Sequence, residues 1–327
     1  MVNLALLKAA FYKPYAVDNE LPVLPESSIS KNIRINATHC ENYNRVVNWK
    51  LGIASVIHPN YLQVLTLPMQ LSMMVNKPFP FKPMGLVHLA NIIEVNRLPE
   101  QSARLRLKTS FSGLQWHKKG WVFAVLSEGF VDGQLAISGT SFYLSRQKHT
   151  IMGAQQESEG SSKKAKSKEI ASSDFSVLTN FNEMKTTDYA VDMSLQSGVG
   201  RKYARVSGDF NPIHLTAWSA KLIGFKKAIA HGMYSKAMCL SHVLKQQMAD
   251  QTHPFLTSRI KISTQFMQPI YLPTKCELKV ANTNSIAERS EKREKETKSN
   301  REVNFSLISN TRSKKREHLR SSIIINN

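Results

Sequence analysis

The chain shows the same order of predicted elements twice, and this duplication constrains its fold more than any other feature. In each half, an apolar pattern typical of a helix precedes four segments typical of strands. The helical segments are 58–75 and 233–248. A local similarity supports the repeat, because Arg97-Leu98-Pro99 and Tyr271-Leu272-Pro273 lie 174 residues apart. The length of 327 residues is also about twice that of a common domain.

The strand candidates fix the fold class. They are rich in β-branched and aromatic residues and occupy 86–95, 103–112, 121–130 and 135–144, then 259–266, 276–280, 303–309 and 319–325. Four consecutive strands with one long helix per half indicate an α+β fold, not alternating β and α units. We expect Pro68 to break the first helix and the turn His117-Lys118-Lys119-Gly120 to join two strands in a hairpin.

A change of composition near the middle predicts the domain boundaries. Residues 153–173 contain no aromatic side chain, several serines and a run of lysines, which is typical of a linker. We therefore predict an N-terminal domain over 1–150, a linker over 151–173 and a C-terminal domain over 174–327.

The net charge of +20 predicts an anionic partner. Part of the excess lies in 161–169 and 312–320, which we interpret as solvated segments. These basic runs lack the interleaved aromatic residues that single-stranded nucleic acid binding favours, so we expect no nucleic acid partner. No apolar run is long enough to cross a membrane, and the first residues make a poor signal peptide. With three widely spaced cysteines, we expect a cytoplasmic protein without disulfides.

One segment, 203–214, carries residues suited to acid–base chemistry. Gly208 and Asn211-Pro212 force turns after a short helix, so that Asp209 and His214 can converge on a small volume. A carboxylate and an imidazole can exchange protons near neutral pH, as addition or elimination of water requires. The same residues also suit a capping aspartate and a structural histidine. Downstream, Gly232 opens the second long helix, where free backbone N–H groups favour developing negative charge.

As a whole, 203–214 resembles the hydratase-2 motif of the MaoC-like dehydratases, which are (R)-specific enoyl-thioester hydratases. Ala217, Gly224-Phe225 and Ile229-Ala230-His231-Gly232-Met233 match that family's later positions. The first half resembles the double-hotdog acyl dehydratases at 58–75, Pro78-Phe79-Pro80-Phe81 and Gly85-Leu86-Val87-His88.

The resemblance implies a double hotdog fold, in which each half wraps a curved antiparallel sheet around a long helix. It implies reversible dehydration of a (3R)-3-hydroxyacyl thioester to the trans-2-enoyl thioester, with an acyl-coenzyme A or acyl-carrier-protein substrate. Catalytic roles carry over to Asp209, His214 and Gly232, and substrate binding to Asn211, Ser207 and His231. No metal or redox cofactor is implied, and a homodimer is compatible. The first half lacks the motif and is expected to be catalytically silent.

Two other classes of function stay open on the sequence alone. A hotdog scaffold that binds thioesters or carrier proteins without turnover is the alternative closest to the enzyme, and the intact Asp209, Asn211 and His214 argue against it. A nucleic-acid-binding module is the second. We expect no metal site at His39-Cys40, because this pair lacks the ligand spacing of a zinc site. Gly198-Val199-Gly200 is interpreted as a turn and not as a dinucleotide-binding loop.

Overall fold

The computed structural model describes most of both halves. The described residues are 21–49, 56–76, 78–147, 175–179, 186–249, 258–284, 300–311 and 314–326, with positions 9, 12–14, 181 and 184. All of the predicted linker and most of the charged stretch 288–302 lie outside them, so the predicted domain boundaries stay a prediction.

The two halves contain matching elements. The first half has β1 (Ser28–Arg34), α1 (Ala37–Val46), α2 (Tyr61–Met74), β2 (Val87–Val95), β3 (Arg104–His117), β4 (Gly120–Val131) and β5 (Gln134–Arg146). The second half has β6 (Tyr189–Leu195), α3 (Val199–Ser207), α4 (Ala217–Lys221), α5 (Gly232–Ala249), β7 (Arg259–Phe266), β8 (Thr274–Asn284), β9 (Asn300–Thr311) and β10 (Lys314–Asn326). Short 3₁₀ turns lie at Phe175–Leu178 and Pro212–His214.

The ten strands of the described residues form one antiparallel sheet, and its order shows the duplication. The order is β1-β3-β4-β5-β2-β7-β10-β9-β8-β6, so the second half repeats the first in reverse across the β2–β7 junction. At that junction, Ala90 pairs with Gln265 and Val95 pairs with Ile260. The fold class predicted from the sequence, α+β with two equivalent halves, is confirmed.

The long helix α5 is held in the core by its apolar side chains. Ala237, Leu240, Val243 and Leu244 are completely buried in a cluster that also includes residues of the first half. Burial of a leucine or valine side chain contributes roughly 1.5–3 kcal/mol relative to exposure, so α5 fixes the position of whatever lies at its N-terminus. No helix in the described part of the chain is long and apolar enough to cross a membrane.

One local prediction is wrong, one is confirmed in part and one is confirmed. α2 runs through Pro68 without a break, because the proline is exposed and the lost N–H bond lies on the solvent side. The turn predicted at 198–200 is confirmed at Gly198 only, because α3 begins at Val199. The hairpin at 117–120 is confirmed by the pairing of His117 with Gly120. The edge strands β1 and β6 and the helices α1 and α4 were not predicted.

Candidate active site

The loop after α3 is shaped by its own polar side chains. α3 ends at Gly208, whose φ of 76° is left-handed and therefore stops the helix. Ser207 Oγ accepts a hydrogen bond from the Asp209 N–H at 3.2 Å, and Asp209 Oδ1 accepts one from the Asn211 N–H at 3.2 Å. Asn211 Oδ1 in turn accepts from the Ile213 N–H at 3.4 Å. The sequence Ser-Gly-Asp-x-Asn therefore folds locally into a stiff loop.

His214 is buried at the end of this loop, with one ring nitrogen fixed. Its side chain lies on the 3₁₀ turn, only 8% exposed, with Nδ1 2.8 Å from the carbonyl oxygen of Ile229. Since a carbonyl only accepts, Nδ1 carries the proton and Nε2 has a free lone pair in the neutral ring. Burial lowers the pKa of His214, although the nearby Asp209 charge and the Ile229 hydrogen bond oppose this. His214 is therefore a neutral base near pH 7.

His231 completes a compact cluster with Asp209 and His214. Its ring stacks on that of His214, with centroids 3.7 Å apart, and its Nε2 lies 3.0 Å from the Asp209 carbonyl oxygen. Burial and the adjacent His214 lower the pKa of His231 to about 3. One side-chain nitrogen or oxygen from each of the three residues lies within 4.8 Å of the others. A third of the Asp209 side chain is exposed, at 34%, so the cluster opens to solvent through its carboxylate.

Gly200 sets how closely α3 approaches the loop. A Cβ at this position would lie only 1.9 Å from the His214 carbonyl oxygen. No side chain fits there without moving His214, so the glycine positions the imidazole although it takes no part in the chemistry. Sequence reasoning missed this residue, and its spacing from Asp209 gave no signal for it.

Gly232 places the N-terminus of α5 beside the cluster. As the first residue of a helix, it has an N–H without a partner inside the helix, at the positive end of the helix dipole. A Cβ on Gly232 would lie 3.1 Å from the Phe266 ring, which is tighter than usual contact. Glycine thus lets Phe266 pack close to this N–H.

The first half also reaches the cluster, which the sequence did not reveal. His88 of β2 lies with its ring centroid 4.9 Å from that of Phe266 and 4.7 Å from that of Tyr143. The Asp209 charge is close enough to raise the pKa of both His88 and Tyr143, although burial is the larger cause for each and lowers the pKa of His88.

The structure brings most of the predicted site residues together and separates their roles. Asp209, His214 and His231 form the cluster, and Gly232 follows His231 directly. The hydroxyl of Ser207 and the amide oxygen of Asn211 hydrogen-bond the loop backbone, as does His231 Nε2. These three residues, predicted to bind substrate, therefore position the loop in this structure.

Comparisons with known proteins give one family match and several similar folds. Residues 181–304 match the family described as MaoC like domain, and this segment includes the whole cluster. The 3-hydroxyacyl-thioester dehydratase X of Mycobacterium tuberculosis is 24% identical over 273 residues, which are 81% of this chain and 86% of that protein. Its crystal structure covers 91% of this chain and 99% of its own, with a TM-score of 0.62 and 20% identity.

Two further solved structures share the fold at low identity. A MaoC-like dehydratase from Phytophthora capsici covers 94% of this chain and 97% of its own, with 15% identity and a TM-score of 0.66. A Mycobacterium tuberculosis protein described as having a double hotdog fold covers 93% of this chain and 96% of its own, with 11% identity and a TM-score of 0.55. The chain has the double hotdog fold, and residues 181–304 in its second half match the MaoC like domain family.

Proposed function

We propose that this protein catalyses the reversible dehydration of (3R)-3-hydroxyacyl thioesters to trans-2-enoyl thioesters. The observation that carries the proposal is the convergence of the Asp209 carboxylate and the neutral His214 imidazole beside the Gly232 N–H. The name of the dehydratase from Mycobacterium tuberculosis supports the same reaction class.

His214 acts on the proton at C2 of the substrate. Its Nε2 lone pair is free because Nδ1 is committed to the Ile229 carbonyl, and burial keeps the ring neutral. A positioned base of this kind typically contributes roughly 10²–10⁴-fold to the rate. The stacked His231 holds the ring face, and the Gly200 contact holds the backbone.

Asp209 binds the oxygen at C3, either the leaving hydroxyl or the attacking water. Its carboxylate is the exposed member of the cluster, and its backbone is fixed by Ser207 and His231. Dehydration takes one proton from C2 and delivers one to the leaving hydroxyl. Because the atoms of Asp209 and His214 lie within 4.8 Å of each other, the pair can transfer this proton and return to its starting state.

Gly232 stabilises the charge that develops on the thioester oxygen. Removal of the C2 proton makes the carbonyl enolate-like, and a free N–H at a helix N-terminus favours this negative charge. α5 is fixed by its buried side chains, so its N-terminus needs little rearrangement during the reaction.

The substrate arm and the location of the protein belong to this proposal. Coenzyme A and the phosphopantetheine arm of a carrier protein both carry phosphate, and the net charge of +20 favours either. The three cysteines are free and buried, which fits a cytoplasmic protein. A homodimer is compatible with the fold.

The reaction is tested by adding crotonyl and longer enoyl thioesters and following the loss of the conjugated enoyl absorbance. We expect hydration to the (3R)-alcohol, identified on a chiral column. The assay is run with and without a chelator, because one carboxylate and two histidines are also residue types that bind metals. We expect equal rates in both. Formation of the (3S)-alcohol, or no turnover of any enoyl thioester, would refute the proposal.

A further inference from the structure

Polar side chains of the first half lie next to the proposed catalytic cluster. His88, Tyr143 and Gln63 come from β2, β5 and α2, and each is partly accessible to solvent. Phe266 connects them to the cluster, because its ring lies against the position of a Gly232 Cβ on one side and 4.9 Å from His88 on the other. The three first-half residues His88, Tyr143 and Gln63 are called the first-half wall below.

His88 has an unused hydrogen-bonding atom in this wall. Its Nε2 is covered and has no hydrogen-bond partner among the described residues, while other atoms of the residue remain accessible. Burial, and to a lesser extent the nearby Lys236, lower the pKa of His88 to about 3, against the opposing effects of a hydrogen bond to the Ala90 backbone and of the Asp209 charge. The ring is therefore neutral, and with one nitrogen directed to the Ala90 carbonyl, Nε2 is an acceptor. Buried polar atoms usually have partners, so an unpaired one beside a reaction site indicates a ligand group.

The groups behind His88 are polar as well, and they satisfy one another. The Tyr143 hydroxyl donates to Gln70 Oε1 at 3.2 Å and accepts from Gln63 Nε2 at 3.3 Å. Lys236 of α5 is completely buried and donates to Asn91 Oδ1 at 2.5 Å. The wall therefore rests on a fixed polar network instead of apolar side chains.

We propose that His88 is a specificity-determining residue that selects acyl groups carrying a hydroxyl beyond C3. The hydroxyl would donate to His88 Nε2, while the stacked Tyr143 ring and the tilted Phe266 ring hold the imidazole in place. This inference rests on the proposed dehydratase function and adds the class of acyl group. It also gives the first half, which lacks the catalytic motif, a direct contact with substrate.

The test compares matched thioesters with the intact protein. The probes are 2-hexenoyl-coenzyme A and its 4-, 5- and 6-hydroxy derivatives, and the measured quantity is the ratio of kcat/KM for each derivative to that of the parent. For the best derivative we expect a ratio of about 10 or more in the wild type, since loss of a buried hydrogen bond usually costs a factor of this order. In His88→Phe the ratio should fall to about 1, and His88→Gln, which keeps an acceptor, should retain part of it.

His117→Gln is the matched control, because this first-half histidine lies at the β3–β4 hairpin turn. It should keep the wild-type ratio, and thermal melting checks the fold of each variant. If the wild type hydrates 2-hexenoyl-coenzyme A as well as every derivative, or if His88→Phe keeps the ratio, the role of His88 is refuted while the dehydratase function stands. If the wild type hydrates no enoyl thioester, the proposed function itself is refuted. Should His88→Phe not fold, the wild-type ratio and His88→Gln decide.

Discussion

Replacing Gly200 with alanine tests whether close packing behind His214 controls the proposed chemistry. The added Cβ would lie 1.9 Å from the His214 carbonyl oxygen, whereas ordinary contact begins near 3.4 Å. Either α3 or the loop must therefore move by about 1.5 Å, and a misplacement of about 1 Å in a reacting group can cost roughly 100-fold in rate. We expect Gly200→Ala to lower kcat by about 100-fold. Overpacking should also destabilise the fold by roughly 1–3 kcal/mol.

Gly198→Ala is the matched control for this substitution. Gly198 precedes α3 by one residue with a φ of −82°, and a Cβ there would lie 3.8 Å from Arg201, which is ordinary contact. Alanine at this position should keep the rate within a few-fold of wild type. Both variants are assayed by the loss of enoyl absorbance, and circular dichroism and thermal melting show whether each remains folded. A folded Gly200→Ala protein with wild-type turnover would refute the reasoning.

Four other outcomes follow from the same structure. Asp209→Asn and His214→Ala should each lose roughly 10²–10⁴ of the rate, and the double variant little more, since the two act as a unit; half of wild-type activity in either single variant would exclude the pair. The folded protein holds His58 and His231 neutral, with the pKa of each lowered to about 3 mainly by burial. Below the ordinary histidine pKa of about 6.5, the unfolded chain therefore binds more protons than the folded protein. The free energy of unfolding should be highest above that pH and should fall as the pH decreases toward 3. Thermal melting at acidic pH that shows no such decrease would contradict this. His58→Ala should lower the melting temperature because His58 Nε2 lies 3.2 Å from the Ala237 carbonyl oxygen, but it should leave turnover of short substrates largely intact. Raising salt from about 0.05 to 0.3 M should raise KM with little change in kcat, more steeply for an acyl carrier protein than for coenzyme A, because exposed charges are screened.

The sequence predicted the central strands well because their side chains determine them locally. β7 is observed at the predicted residues, 259–266, and Trp121–Phe130 lies inside β4. The edge strands β1 and β6 escaped prediction, since each pairs on one side only and carries few buried side chains. At Pro68 a strong local rule failed because the affected turn faces solvent, where the missing bond costs least.

The site residues that lie close together in the sequence could be predicted. Those that reach the site only through the packing of separate elements could not. Asp209, His214 and Gly232 belong to short motifs. The neighbouring residues in each motif determine its turns or the start of its helix. Gly200 lies in α3 and His88 in β2. Each has a role only because its element packs close to the site. No local pattern encodes such distances, because they depend on how whole elements pack.

The duplication also accounts for the difference between the two halves. α1 packs against α3, and Tyr43 and Tyr203 meet between them with ring centroids 6.1 Å apart. A left-handed residue follows each helix, Asn48 with a φ of 58° two residues after α1 and Gly208 with a φ of 76° directly after α3. The next residue is Trp49 in the first half and Asp209 in the second.

A histidine precedes the long helix in each half and contacts this residue. His58 lies against Trp49, with ring centroids 4.5 Å apart, whereas His231 Nε2 lies 3.0 Å from the Asp209 carbonyl oxygen. In the described part of the first half, the indole of Trp49 thus packs on the imidazole of His58. At the equivalent place in the second half, the residue next to the imidazole of His231 carries the carboxylate of Asp209. An indole cannot hold a hydroxyl or water as a carboxylate does. We therefore infer that the first half kept the packing of the duplicated site and, at this position, lost the group on which its proton chemistry would depend.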